Sequence, residues 1–269
     1  MPLPQDNLAY PVKIECECEP KNYGSGFLLN YQNKAIFLIT AKHVIYEQQE
    51  NKEMMLHSKL LTISVKDKNL SQTKPIKINI DLNKTKIKIS DGADVCCVKI
   101  GTLVDIPDTN SHKIIFSDGI DKLKAENVNN FVTVSSDNFL LFDNIVSSAD
   151  IFVLGYPVSI GSHQNPQLDY DQPLVRKGII AGKNNLNKTV ILDCAVYGGN
   201  SGGLAIQAQQ TDLVTTKYSV VGIVVEFIPF YEIMYSRQHK YQNLNIENSG
   251  YSVLIPADCI LDLVKSIDD

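Results

Sequence analysis

The chain has 269 residues, of which 44% are hydrophobic and 20% are charged, with a formal net charge of −5. This length and composition are typical of a globular protein of one large or two small domains. The negative net charge gives no support to a nucleic-acid or acidic-membrane partner. The sequence begins without a secretory signal pattern and has no apolar run of the roughly 18 residues that span a membrane, so we expect a cytoplasmic protein.

Six cysteines occur along the chain, and no two of them have Cys-x-x-Cys spacing. Cys96 and Cys97 are adjacent in a predicted strand, where neighbouring side chains point to opposite faces. Cys16 and Cys18 share a face of another strand. We therefore predict free thiols in a reducing cytoplasm, with a zinc site as the alternative interpretation.

Short runs of apolar and β-branched residues recur through the first hundred positions. The alternation at 12–18 predicts a half-buried strand, and the runs at 26–31 and 35–40 predict a hairpin. The polar stretch at 43–50 predicts one or two helical turns. Further strands are predicted at 59–65, 76–80, 85–89 and 94–100. Strands at such regular spacing are typical of a β-barrel.

The second half of the chain repeats this pattern after an irregular stretch at 101–144. Strands are predicted at 149–156, 174–180, 189–196, 204–207, 217–227 and 251–255. We expect residues 229–250 to form a long insertion. The spacing of Ile260, Leu263 and Val264 predicts an amphipathic helix over 256–267.

The most informative stretch is a glycine-rich turn after the apolar run 190–196. Its sequence is Gly198-Gly199-Asn200-Ser201-Gly202-Gly203. Glycines on both sides of one serine describe a tight turn that exposes the hydroxyl group. The backbone N–H groups of Gly199 and Ser201 can converge beside that hydroxyl, as in an oxyanion hole. From these six residues alone, a structural turn with an ordinary surface serine is equally acceptable.

A histidine and an aspartate also lie at the ends of apolar strands. The run 35–40 leads through a Thr-Ala-Lys-His motif to His43, and Asp94 opens the run 94–100. A serine hydroxyl is a poor nucleophile at neutral pH, so it needs a base, and the base needs an orienting carboxylate. The competing Asp91 precedes a glycine and is better explained as a turn residue. The other four histidines lie in polar segments, where we expect them to be exposed.

These motifs, in the order His, Asp, Ser, resemble those of trypsin-like serine proteases with the chymotrypsin fold. The Gly-Ser-Gly-Phe motif at 24–27, the Gly-Tyr-Pro turn at 155–157 and Asn200 are more similar to the HtrA/Deg-like and glutamyl-endopeptidase branches, here without a PDZ domain. The resemblance covers 23–260, nearly the whole chain.

The resemblance implies an all-β fold of two six-stranded antiparallel β-barrels with a short C-terminal α-helix. It implies one peptidase domain over 1–269, with an N-terminal barrel at 10–120, a C-terminal barrel at 130–256 and the helix at 257–269.

The resemblance also implies the roles of the site residues. Ser201 would be the nucleophile, His43 the general base and Asp94 the orienting acid, with the oxyanion hole formed by the backbone of Gly199 and Ser201. The residues implied in substrate binding are Ala195 and Val196 at the pocket base and Val224, Val225 and Glu226 on the strand that pairs with the substrate.

Four departures from the digestive relatives shape further expectations. No aspartate stands at the pocket base, so we expect a small or medium apolar residue before the cut bond. Phe227 stands where a small residue is often found, and a large ring there can narrow the pocket mouth. Val225 replaces a serine that supports the catalytic aspartate. Asn200 replaces an aspartate that pairs with a newly cut N-terminus, so we expect control by a partner or by loop ordering.

The sequence thus predicts a serine endopeptidase that acts on proteins or peptides through an acyl-enzyme. It implies no cofactor, metal, nucleic-acid or membrane partner, and it allows a regulatory protein partner. The first alternative is a catalytically silent binding or scaffold module with a protease fold. The second is hydrolysis of small esters by the same nucleophile.

Overall fold

The computed structural model describes residues 2–50, 52–66, 74–107, 112–126, 131–212, 215–235, 238 and 242–268. Strands dominate these ranges. The strands are β1 Pro11–Cys16, β2 Asn22–Tyr31, β3 Ala35–Thr40, β4 Tyr46–Gln48, β5 Met54–Leu56, β6 Leu60–Val65, β7 Ile76–Asp81, β8 Ile87–Ile89, β9 Cys96–Asp105, β10 His112–Phe116, β11 Val134–Ser135, β12 Asp150–Gly155, β13 Leu174–Asn184, β14 Thr189–Asp193, β15 Leu204–Gln210, β16 Thr216–Tyr235 and β17 Gln242–Pro256. The helices are α1 Lys42–Ile45, α2 Lys122–Ala125 and α3 Ala257–Asp268.

The strands form two barrel-like units. The first is a nine-stranded sheet in the order β10-β9-β3-β2-β1-β6-β7, with β8 beside β9 and β11 beside β2. The second is a closed barrel in the order β12-β13-β14-β17-β16-β15. All neighbours in this barrel are antiparallel. The expected all-β, chymotrypsin-like architecture is therefore confirmed.

The C-terminal helix connects the two units. It follows β17 of the second barrel, yet it packs against β8 and β9 of the first unit as well as β16. Its buried side chains Ile260, Leu263 and Val264 belong to a hydrophobic core that includes strands of both units. Burying side chains of this size stabilises the fold by about 1.5–3 kcal/mol each. No helix in the described ranges is long and apolar enough to span a membrane.

One local expectation was wrong, and another lacked the detail that the structure adds. The helix expected at 43–50 ends at Ile45, because the next three residues form β4 and pair with β5. The long insertion expected at 229–250 is a paired extension of β16 and β17 where it is described, from Pro229↔Asn248 to Tyr235↔Gln242, and residues 236–237 and 239–241 lie outside the described ranges. We call residues 229–235 and 242–248 the ribbon.

The six cysteines are all free thiols. Burial raises the pKa of Cys16 and of Cys97 to about 12, so these thiols stay protonated at neutral pH. Protonated, buried thiols are poor nucleophiles, and these side chains serve as small apolar core residues.

Candidate active site

Two neighbouring strands bring His43 and Asp94 together. Strands β3 and β9 are antiparallel, and Thr40 lies opposite Cys96. The residues just after β3 and just before β9 therefore meet at the same end of the sheet. There the Nδ1 atom of His43 lies 2.6 Å from Oδ2 of Asp94, and the backbone N–H of His43 donates to Oδ1 at 3.1 Å.

Contacts with His43 control the charge of Asp94. Burial acts to raise the pKa of the Asp94 carboxyl group, because desolvation disfavours the carboxylate. The hydrogen bonds and charge of His43 and the charge of Lys42 act in the opposite direction and prevail, so the pKa is lowered. The resulting carboxylate orients the imidazole ring with Nδ1 as donor, which leaves Nε2 as acceptor.

Residues 198–203, which we call the serine loop, have a backbone that at two positions only glycine accommodates well. Gly199 has φ +99° and Gly202 has φ +83°. A Cβ atom at Gly199 would lie 2.3 Å from the carbonyl oxygen of Tyr156, and one at Gly202 would lie 2.1 Å from that of Ser25. Both distances are far below a normal contact. The glycines are therefore required by close backbone approach as well as by positive φ.

Two backbone N–H groups of this loop have the properties of an oxyanion hole. The carbonyl oxygen of Gly198 accepts from the N–H of Ser159 at 3.1 Å. The N–H of Gly199 belongs to the same planar, trans peptide group as this carbonyl. It therefore points in the opposite direction, away from Ser159. Among the described residues, neither Gly199 nor Ser201 donates its N–H to another group. Two unpaired donors beside a serine hydroxyl can bind a developing oxyanion.

The hydroxyl group of Ser201 donates to the carbonyl oxygen of Val225 at 3.1 Å. In the described parts of the chain it makes no hydrogen bond with His43. Val225 lies at a β-bulge, where the β16–β17 register shifts between Val224 and Glu226. Such bulges redirect backbone groups. The three catalytic candidates line one open cleft of about 480 Å³. A rotation of the serine side chain is needed to complete the expected triad.

Ser25 connects the serine loop to both units. Its backbone N–H donates to the carbonyl oxygen of Ser201 at 2.8 Å. Its hydroxyl donates to the carbonyl oxygen of Gly199 at 2.6 Å and accepts from the N–H of Tyr156 at 2.8 Å. Thr40, at the end of β3, donates its hydroxyl to the Ser25 carbonyl oxygen at 2.7 Å. This fully buried serine thus holds the backbone of Gly199 and Ser201 in place.

The cleft walls include most of the expected substrate-binding residues. Val196, Val224, Val225 and Glu226 line it, whereas Ala195 is half-buried and is not among the lining residues. The backbone of Val224 is already paired with the serine loop, donating to Gly203 and accepting from Gly202. Val224 is therefore not the residue expected to pair with a substrate backbone.

Sequence reasoning missed two residues of this region. Tyr197 lines the cleft, and the Arg176 guanidinium lies over its ring at 4.6 Å from the centroid. His57, which we expected to be exposed, is half-buried, and its Nε2 lies 3.1 Å from the carbonyl oxygen of His43. The polar sequence around His57 gave no signal for this contact, because the pairing of β4 with β5 creates it.

The described residues contain no cluster of three or more His, Cys, Asp or Glu side chains suited to a metal ion. The cleft thus offers nucleophilic and acid–base groups. Their arrangement is suited to acyl transfer, in which a serine attacks a carbonyl carbon and backbone donors stabilise the oxyanion.

Comparison with known proteins places the chain in a family. The family model of the trypsin-like peptidase domain matches residues 24–214, which is more than half of the chain. The chain therefore belongs to the trypsin-like peptidase family. No curated protein sequence matches it significantly.

Solved structures show the same fold. The HtrA-type protease AlgW with a tripeptide has a TM-score of 0.54 and 15% identity over 97% of this chain, which spans 60% of that protein. The protease Anisep from Arthrobacter nicotinovorans has a TM-score of 0.55 and 12% identity, covering 96% of this chain and 95% of its own. The thermostable serine protease AL20 from an extremophilic microorganism has a TM-score of 0.54 and 10% identity, covering 97% and 98%.

Proposed function

We propose that this chain cleaves peptide bonds with Ser201 as nucleophile, His43 as general base and Asp94 as orienting acid. The observation that supports this most is the 2.6 Å contact between His43 Nδ1 and Asp94 Oδ2 in the cleft that also contains Ser201. The acid–base pair and the nucleophile come from different units of the fold. A cleft between them can accept an extended polypeptide.

The proposed reaction begins when the Ser201 hydroxyl turns from Val225 to Nε2 of His43. The imidazole takes the hydroxyl proton while Oγ attacks the peptide carbonyl carbon, and the N–H groups of Gly199 and Ser201 bind the oxyanion. Protonated His43, stabilised by the Asp94 carboxylate, then gives its proton to the leaving amine. Water, activated by His43, hydrolyses the acyl-enzyme and regenerates the serine.

The walls of the cleft support a preference for a small or medium apolar residue before the cut bond. Val196 and Val224 are apolar, and the exposed ring of Phe227 lies at the same cleft. Besides Asp94, the acidic residue that lines the cleft is Glu226, which lies on β16 rather than at the expected pocket base. We do not expect the selectivity for arginine or lysine that a buried aspartate at the pocket base gives.

We also propose that the protein works in a reducing, cytoplasmic compartment and is controlled by loop ordering or by a protein partner. The free thiols support the compartment. The resting contact of the Ser201 hydroxyl with Val225 supports the control, because a ligand that occupies this carbonyl oxygen would release the hydroxyl toward His43.

A catalytically silent binding module is the second candidate function. The observation in its favour is the same Ser201–Val225 hydrogen bond, which takes the nucleophile away from its base. The ionised Asp94 favours the enzyme instead, because a carboxylate fixed on an imidazole has no evident use in a site that only binds.

Digestion of a carboxymethylated, permanently unfolded protein tests the proposal, with the new chain ends read by mass spectrometry. We expect cleavage by the wild type, none by Ser201→Ala, and a rate about 10⁴-fold lower for Asp94→Asn. Asp91→Asn is the matched control, because Asp91 is an exposed neighbour outside the cleft lining, and it should cleave like the wild type. Equal products from wild type and Ser201→Ala, or none from the wild type, would contradict the proposal.

A further inference from the structure

The ribbon exposes a continuous apolar face. Tyr231 lies opposite Ile246, and Ile233 lies opposite Leu244. Because side chains alternate between the two faces of a strand, these four side chains share one face with Tyr235. Each of the five is between 51% and 65% exposed. Monomeric proteins seldom expose adjoining large apolar side chains unless the surface binds something.

One edge of the ribbon is also unpaired. The ladder between β15 and β16 ends at Leu204↔Ile223, while β17 continues along the other edge of β16 as far as Tyr235. In the described ranges, no strand pairs with the outer edge of β16 from Glu226 to Tyr235. At about 3.3 Å per residue, this edge is roughly 33 Å long. Such an edge is a template for another extended chain.

This free edge begins inside the catalytic cleft. Glu226 and Phe227 line the cleft together with His43 and Ser201, and β16 runs from there outward along the ribbon. A polypeptide antiparallel to β16 therefore has its N-terminal part beside the ribbon and its C-terminal part at Ser201. The register of β16 shifts between Phe227 and Pro229, and Pro229 has no N–H group, so a strand added to this edge is interrupted there.

The opposite face of the ribbon is mixed: it exposes Phe230 and Met234 together with two glutamates, and we call it the acidic face for its charge. Glu247 lies opposite Phe230, and Glu232 lies opposite Asn245. Both glutamate side chains are exposed, and within the described part of the chain neither forms an ion pair. A strand added to this edge would place alternate side chains on the apolar face and on the acidic face. The chemistry that fits is an extended segment in which apolar and basic residues alternate.

We propose that the ribbon binds the part of a polypeptide substrate that lies N-terminal to the cut bond, as a strand added to the outer edge of β16. The inference rests on the proposed peptidase function and extends the substrate site well beyond the cleft. The segment contacts the apolar face through Tyr231 and Ile233 and the acidic face through Glu232. Unfolded polypeptide with alternating apolar and basic residues is the substrate class that this surface selects.

Binding to the Ser201→Ala chain tests the proposal without turnover. The probes are fluorescein-labelled peptides of four and ten residues in which valine and lysine alternate, with the same C-terminal tetrapeptide, read by fluorescence anisotropy. We expect the longer peptide to bind at least about tenfold more tightly, which corresponds to about 1.4 kcal/mol. Adding Tyr231→Ser and Ile233→Ser to that chain should abolish the difference, whereas Leu123→Ser, at an exposed leucine of α2, should retain it.

Reversing the charge of Glu232 distinguishes a direct contact with the peptide from unfolding of the ribbon. In the same chain, Glu232→Lys should weaken binding of the valine–lysine peptide and strengthen binding of a valine–glutamate peptide of equal length, which a merely unfolded ribbon cannot do. Equal affinity of the short and long peptides would overturn the proposal. A concentration-dependent dimer lost in the Tyr231→Ser, Ile233→Ser variant would also overturn it, because a second copy would then cover the ribbon.

Failure of the catalytic proposal has a different signature. Length-dependent binding with no cleavage by the wild type would keep the ribbon assignment and reject the peptidase. Cleavage with length-independent binding would reject the ribbon assignment alone.

Discussion

Ser25→Ala removes one buried hydroxyl group that has two hydrogen-bond partners, one in the serine loop and one just after β12. The backbone N–H of Ser25 can still donate to Ser201 in the variant. The carbonyl oxygen of Gly199 and the N–H of Tyr156 both lose their hydroxyl partner. Ser25 is 0% exposed, so water does not replace the hydroxyl without rearrangement.

The magnitude follows from these two orphaned groups. An unpaired buried backbone group costs about 1–3 kcal/mol, so we expect a loss of roughly 2–6 kcal/mol in the free energy of unfolding. The freed carbonyl also lets the Gly199 backbone turn. Complete removal of an oxyanion donor lowers turnover by about 10²–10³, and a displaced donor should lower it by about 10- to 100-fold.

Urea unfolding and single-turnover acylation by a fluorophosphonate measure these two effects. Leu61→Ala is the control, because Leu61 is fully buried on β6, which contributes no residue to the cleft lining. Its cavity should cost about 2–5 kcal/mol without moving the serine loop. A Ser25→Ala variant that unfolds like the wild type, or that is acylated as fast as Leu61→Ala, would refute the role assigned to this hydroxyl.

Three further predictions concern charge, backbone and thiols. Because the folded-state pKa of Asp94 is lowered, its carboxylate stabilises the fold above its unfolded-state pKa, and this contribution disappears as the pH falls through the folded-state pKa. The unfolding free energies of wild type and Asp94→Asn should therefore converge on acidification. A difference that stays constant with pH in urea titrations would contradict this. Gly202→Ala should lower the free energy of unfolding by more than about 2 kcal/mol, because φ at this position is +83° and the new Cβ would clash with a β2 carbonyl. Gly92→Ala has open space around the new methyl group and should lower it by less than about 1 kcal/mol. Similar thermal midpoints of the two variants would argue against a steric requirement for glycine in the serine loop. Native protein should react with a maleimide first at the half-buried Cys18 and Cys259, and mass spectra showing faster labelling of the buried thiols would oppose the burial pattern.

The pairing of His43 with Asp94 could be predicted from the sequence. Each residue follows or precedes a run of apolar residues long enough to be a buried strand, and antiparallel pairing of two such strands brings their adjacent ends together. The glycines around Ser201 were equally informative, since their positive φ values exclude most other residues.

Other parts of the site depend on contacts that local patterns do not encode. Ser25 and Gly199 are 174 positions apart, and their hydrogen bond exists only once the two units are packed together. The rotamer of Ser201 depends on a bulge at Val225 that alternation cannot reveal. The insertion at 229–250 was expected, but its strand pairing was not, because large apolar residues interleaved with polar ones do not distinguish a paired ribbon from an irregular insertion.

The most direct test of the proposed catalytic site is fluorophosphonate labelling followed by mass spectrometry of the modified peptide. We expect one adduct, on Ser201, with no labelling of Ser201→Ala and very slow labelling of His43→Ala. Undiminished labelling of Ser201→Ala, or a wild type that is never labelled even with peptide in the cleft, would contradict the assignment of Ser201 as an activated nucleophile.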